Sequence, residues 1–193
     1  EAPHRWPNVH LGLIAEILLR IGMDTVARAE EKLTDTLLKR LGAVPRVTVY
    51  GATDTARVPR AGVVAFNVDG LPHGLVAAYL NDFHNIAVRN ACFCAQPYVK
   101  ALLKVDAATE TAYRQETSCG DRRHVPGMVR ASLGIYSTEE DIEALGHALE
   151  QLVEHSSAIQ NLYAAGLDGH FRPQSGARIP TTFRVADEVD KWA

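Results

Sequence analysis

The sequence has little of what marks several large functional classes. Its 193 residues hold only 3 cysteines, Cys92, Cys94 and Cys119, an odd number without the spacing of a disulfide framework. Such sparse cysteine usage fits a reducing, cytoplasmic setting rather than a cross-linked secreted scaffold. Basic residues never cluster beyond the short stretch DRRH at 121–124, and the formal charge is −3, so a nucleic-acid footprint is lacking. The longest apolar run, LGLIAEILL, is interrupted by Glu16 and is too short to cross a bilayer. A charged leader with a cleavage site is likewise absent, which argues against a signal peptide. No internal repeat, Gly-rich phosphate loop, Ser/His/Asp pattern or paired-carboxylate pattern stands out. A metal site is not expected either, because a C-x-C pair and scattered histidines do not give ligand spacing. The chain starts at Glu1 without an initiator Met, and an internal start within a longer protein is the expectation.

What is present is the composition of a soluble globular protein rather than a disordered one, 47% apolar and 22% charged. HLGLIAEILLRIG reads as a helix apolar on nearly every side and ending at Gly22, which calls for cover all round. Asp24 is a candidate cap for the next helix, where Val26, Ala29, Leu33, Leu37 and Leu41 recur at helical spacing. RVTVYG and GVVAFNVDG alternate as strands, HGLVAAYLNDFHN follows Pro72 as a helix, and IAVRN is a third strand. Pro97 opens a short helix, PYVKALL. Residues 104–127 lack a period and read as an insertion or mobile loop. GMVRASLGIY is a fourth strand, and Ser137 with Glu140 forms a capping-box pattern before a long amphipathic helix. This order predicts a two-layer α/β sandwich, a small mixed or mostly antiparallel sheet with helices on one face.

Three residues carry the chemical interest. Arg89 and Arg130 each lie within an apolar, strand-like run. A guanidinium there needs either a carboxylate of the protein itself or a bound anion, because an unpaired buried charge is costly. The planar fork suits bidentate carboxylate recognition. Cys94, shortly before Pro97 and beside Phe93, is either a small packed hydrophobe or a thiol whose nucleophilic form is favoured by a helix start and an arginine.

VRNACFCAQPYVKALL and GMVRASLGIYSTEEDIEAL together resemble the C-terminal part of the class V aminotransferase and cysteine desulfurase family, which uses pyridoxal phosphate. GVVAFNVDGLPHGLVAAYL and IGMDTVARAEEKLTDTLLKRLGAVPRVTVYG resemble the units just upstream, so the likeness covers about residues 1–155 in order. The resemblance implies an interdomain helix segment at 1–22, the small C-terminal domain of a fold-type I pyridoxal-phosphate enzyme at 23–160 and an irregular tail at 161–193. It implies that Arg130 grips the α-carboxylate of an amino-acid substrate and that Arg89 is a second arginine near it. Cys94, the cysteine before AQP, falls on the persulfide-forming nucleophile of the desulfurases. The cofactor would be held mainly by an N-terminal large domain, in an enzyme that is a homodimer.

The chain departs from the pattern at several points. Ala91-Cys92-Phe93 stands where desulfurases carry Gly-His-His, and EAPHRWPN replaces the family's Glu-Ala-Gly-Thr-Pro-Asn. None of Lys32, Lys39, Lys100, Lys104 or Lys191 sits in the motif of the cofactor-binding lysine. The isolated chain is therefore expected to be inactive. Besides a desulfurase, the readings are an aminotransferase or epimerase-like enzyme with Cys94 as a pocket wall, or a non-catalytic interaction module on the same fold.

Overall fold

The computed structural model describes residues 5–175, with side chains from residue 9 onward. The chain opens with two successive helices, Arg5–Ile21 (α1) and Met23–Ala43 (α2). Gly22 alone separates them, at φ 85°, a left-handed turn that glycine adopts without strain. Asp24 was the expected cap, but α2 starts ahead of it. The Gly22 carbonyl instead accepts from the amides of Thr25 and Val26, and no side chain caps the helix. Leu11, Leu13, Ile14, Ile17 and Leu19 of α1 are all exposed, as the all-round apolar pattern requires unless another surface covers them.

Strands Val47–Tyr50 (β1) and Val63–Val68 (β2) follow, then helix His73–His84 (α3), strand Arg89–Ala91 (β3) and helix Gln96–Leu102 (α4). Ala107–Ser118 forms a further helix (α5), then come strand Met128–Ser132 (β4) and helices Glu139–Glu154 (α6) and Ser156–Gln160 (α7). Every pairing in the sheet is antiparallel, in the order β1-β2-β4-β3. Alternate residues of each strand point the same way. Val64, Phe66 and Val68 of β2 and Val129 and Ala131 of β4 therefore share the face that packs on α2, α3 and α6, where Leu37, Leu41, Leu75, Leu80, Ile142 and Leu149 close the core. This is the two-layer α/β architecture expected from the element order.

Two corrections concern segments with weak patterning. Residues 104–127 are not a structureless insertion, because α5 occupies half of them. Asp106 caps it by accepting from the Thr109 amide at 2.7 Å, and only Tyr113 is buried, so the helix has almost no apolar stripe to read. The described part of the expected irregular tail forms a hairpin, Tyr163–Ala165 (β5) against Phe171–Pro173 (β6). It holds to α3 through the Tyr163 hydroxyl, which donates to Asp82 at 2.9 Å. What lies past residue 175 is outside the described residues, as are the side chains of EAPHRWPN.

The capping box of α6 sits one residue beyond the expected Ser137 and Glu140. Thr138 and Asp141 form it, while the Ser137 hydroxyl accepts from the Gly134 amide at 2.9 Å. Gly146, in the middle of α6, has a packing reason. A Cβ there would collide with the Arg40 guanidinium, which reaches from α2 to Glu143 at 2.8 Å and Glu150 at 2.7 Å.

Candidate functional site

The sheet face away from the core carries the arginines. Arg89 on β3 pairs directly with Arg130 on β4, Arg130 pairs with Ala65 on β2, and Ala65 pairs with Tyr50 on β1. Cross-strand partners share a face, so Tyr50, Ala65, Arg130 and Arg89 form one row across the sheet. Two like charges set opposite each other repel, and neither arginine has an ion pair among the described residues. The internal carboxylate weighed as a partner for each is therefore not there. Arg130 Nε is buried and has no hydrogen-bond partner. Its guanidinium lies over the Phe93 ring, 5.0 Å from the centroid, a cation–π contact that holds the side chain in place.

One row along, Asn67 donates through Nδ2 to the Gly127 carbonyl at 3.1 Å, leaving Oδ1 buried without a partner. Gly127 leads into β4. A Cβ on it would sit 2.7 Å from both Ala91 Cα and His73 Nε2, so only glycine allows this approach. His73 meets the Val125 carbonyl at 3.2 Å, and burial pushes its pKa down, which favours the neutral ring. The segment ahead of Arg130 is thus tied on both sides.

Cys94 is exposed, at the head of α4. It belongs to a tight turn in which the Ala95 amide donates to the Cys92 carbonyl at 2.8 Å. Phe93 at φ 52° and Cys94 at φ 61° are both left-handed, as is Ala91 at φ 85°. Non-glycine residues adopt this region at a cost of roughly 1–3 kcal/mol each, and such outliers gather at functional sites. The turn aims Phe93 at Arg130 and leaves Cys94 in solvent. Cys94 is consequently not a buried hydrophobe. Cys119 is exposed as well, whereas Cys92 is half-buried.

The structure thus brings Arg89, Arg130 and the Cys94 turn to one edge of the sheet. Phe93 and Asn67 were missed in the sequence. The interruption of a strand-to-helix junction by an aromatic residue was the available signal for Phe93, and Asn67 had none. Lys32, Lys39 and Lys100 are ion-paired with Glu139, Asp35 and Glu110, and Lys104 is exposed after α4. Lys191 lies outside the described residues. Among the described residues no group of three or more His, Cys, Asp or Glu could hold a metal, and no helix is long and apolar enough to cross a membrane.

Comparison with known proteins gives these residues a context. The family described as Aminotransferase class-V matches residues 3–145. A cysteine desulfurase of Escherichia coli O127:H6 is 32% identical over 160 residues, covering 79% of this chain and 33% of that protein. A probable cysteine desulfurase of Halalkalibacterium halodurans is 33% identical over 148 residues, covering 76% of this chain and 30% of its own length. The chain thus spans about a third of the length of the curated relatives it matches. The crystal structure of the cysteine desulfurase CsdA from Escherichia coli superposes with a TM-score of 0.53 at 22% identity, over 72% of this chain and 28% of that one, a likeness of fold. On the extent of the family match and the identity to these relatives, the chain belongs to the class V aminotransferase family.

Proposed function

We propose that this chain is the substrate-gripping small domain of a desulfurase-type enzyme. Arg130, with Arg89 beside it, holds the α-carboxylate of an amino acid, and Cys94 takes up its sulfur as a persulfide. The observation that supports this most is the opposed arginine pair with its buried, unpartnered Nε. A carboxylate between the two guanidiniums would relieve their repulsion and supply the anion that no internal acid provides. The exposed, strained turn supports the second role, because an outgoing sulfur must be reached by an acceptor.

Enzymes of this family are generally dependent on pyridoxal phosphate, which serves as an electron sink when bound. The described residues do not fit that group as its anchor, since Lys32, Lys39 and Lys100 are ion-paired with carboxylates and Lys104 is exposed after α4. They fit a substrate carboxylate. A large domain outside this chain would hold the cofactor, in a homodimeric enzyme, and this chain would close over the amino acid.

The test uses the enzyme that contains this chain together with its cofactor-binding part. Arg130→Lys keeps the charge but loses the bidentate fork. A charge-assisted hydrogen bond is worth about 1.5–3 kcal/mol, so kcat/KM should drop roughly ten- to hundredfold while the melting temperature holds. Near-normal kcat/KM would make Arg130 structural. Cys94→Ser should abolish persulfide formation, read by mass spectrometry of the turn peptide.

Phe93 favours a second reading. It stands where the desulfurase pattern has a histidine, and it stacks on Arg130 instead of offering a proton-transfer group. An aminotransferase or epimerase-like enzyme would keep the carboxylate grip and leave Cys94 unused. Full turnover of a non-sulfur amino acid by the Cys94→Ser enzyme would select that reading.

A further inference from the structure

Beside β3, between α5 and the β5–β6 hairpin, lies a cavity of about 650 Å³. Small-molecule sites run roughly 300–1,000 Å³. The hairpin that closes it lies beyond the residues matched by the family. Arg114, Arg122 and Asp168 set its charge. Asp168 is neutralised by Arg172 at 2.5 Å, which holds its carboxyl well below the usual carboxylate range. Arg114 shares Glu110 with Lys100, at 2.6 and 2.7 Å, so one carboxylate serves two cations. Arg122 has no carboxylate partner among the described residues, and the neighbouring Asp121 is paired with Arg123. The charged lining residues are thus two arginines, of which Arg114 shares one carboxylate with Lys100, and an aspartate already paired outside the lining. Cys92 forms part of the same wall, half-buried and thus reachable from the cavity.

We propose that this cavity is a binding site for small anionic disulfides and thiols, with Arg114 and Arg122 drawing in the anion and Cys92 as the sulfur that exchanges with it. In the exchange, the Cys92 thiol gives its proton to solvent and the thiolate attacks one sulfur of the bound disulfide. A Cys92–ligand disulfide forms, the ligand's own S–S bond breaks, and the second half leaves as a thiolate carrying the electron pair. An incoming anionic thiolate reverses the step. Neither Cys94 nor a cofactor takes part, so the site stands or falls separately from the sulfur-transfer reading.

The experiment uses the full chain with Cys94→Ser and Cys119→Ser, so that Cys92 is the remaining thiol. Two chromogenic disulfides serve as probes, dithionitrobenzoate, which is dianionic at neutral pH, and dithiodipyridine, which is neutral. The ratio of anionic to neutral reaction rates should exceed that of the same chain unfolded in urea by about tenfold or more. The anionic rate should saturate with reagent and fall as salt is raised, while the neutral rate does not. Arg122→Gln should lower the anionic rate alone. Equal ratios in the folded and unfolded chains, or an anionic rate insensitive to salt, would overturn the proposal. If Arg122→Gln does not fold, shown by a neutral rate equal to the unfolded one, the salt series on the parent chain decides.

Discussion

At the residue scale, Phe93 does more than fill space. Its left-handed backbone brings the ring over Arg130, and the stack holds a guanidinium whose Nε has no hydrogen-bond partner. A cation–π contact is worth about 0.5–1 kcal/mol at an exposed site and up to about 2 when desolvated. If Arg130 grips an amino-acid carboxylate as proposed, Phe93→Leu in the complete enzyme should raise KM a few-fold and leave kcat nearly unchanged, since it loosens the grip and not the bond-breaking step. Phe93→Tyr, which keeps the ring, should restore KM. A loss of thermal stability equal in both variants would mean that the ring supports the turn rather than the arginine. The arginines themselves were legible, because a guanidinium inside an apolar run demands a partner. Their opposition across β3 and β4 was not, because two residues 41 positions apart share a row only through register.

At the element scale, α5 shows why a helix can escape the eye. It buries a single side chain, Tyr113, and its start depends on Asp106 rather than on an apolar stripe. The bond from the Thr109 amide holds the Asp106 carboxyl below its ordinary pKa. A carboxylate with a depressed folded pKa stabilises the helix at neutral pH. That contribution fades as pH falls below the unfolded value of about 3.9 and through the lower folded value. The protection factors of the first-turn amides of α5, each rate taken relative to the intrinsic exchange rate at the same pH, should thus fall on acidification in the parent chain. Asp106→Ala should show the faster exchange already at neutral pH, and Asp106→Asn should keep most of the protection. By contrast α2, α3 and α6 follow directly from their apolar spacing, because the face they bury is wide enough to leave a period.

At the scale of the whole molecule, one core holds the sheet to three helices, and Phe66 sits at its centre with 0% exposure. Truncating such a residue costs about 3–5 kcal/mol, a large share of the roughly 5–15 kcal/mol by which domains are stable. Phe66→Ala should lower the urea midpoint sharply, with loss of protection in β2, β4 and α6 together. Retention of protection in α6 alone would show that the helices fold without the sheet. The open face of the same sheet carries the arginine row, so the packing that stabilises the chain also presents its site.

By itself the sequence determined the α/β class, the order of the main strands and helices, the family, and the placing of Arg89 and Arg130 within strands and of Cys94 just before a helix. These follow from local periodicity, from turn chemistry and from short motifs, all of which are carried by neighbouring residues. Tertiary structure alone decided that Arg89 faces Arg130, that Phe93 stacks on the guanidinium, and that Cys94 is exposed. It also decided that α5 and the hairpin enclose a cavity beside Cys92. Those facts depend on strand register, on left-handed backbone at Ala91, Phe93 and Cys94, and on contacts between segments tens of residues apart. Such contacts are set by the sum of many long-range packing terms, and no stretch of sequence contains that sum.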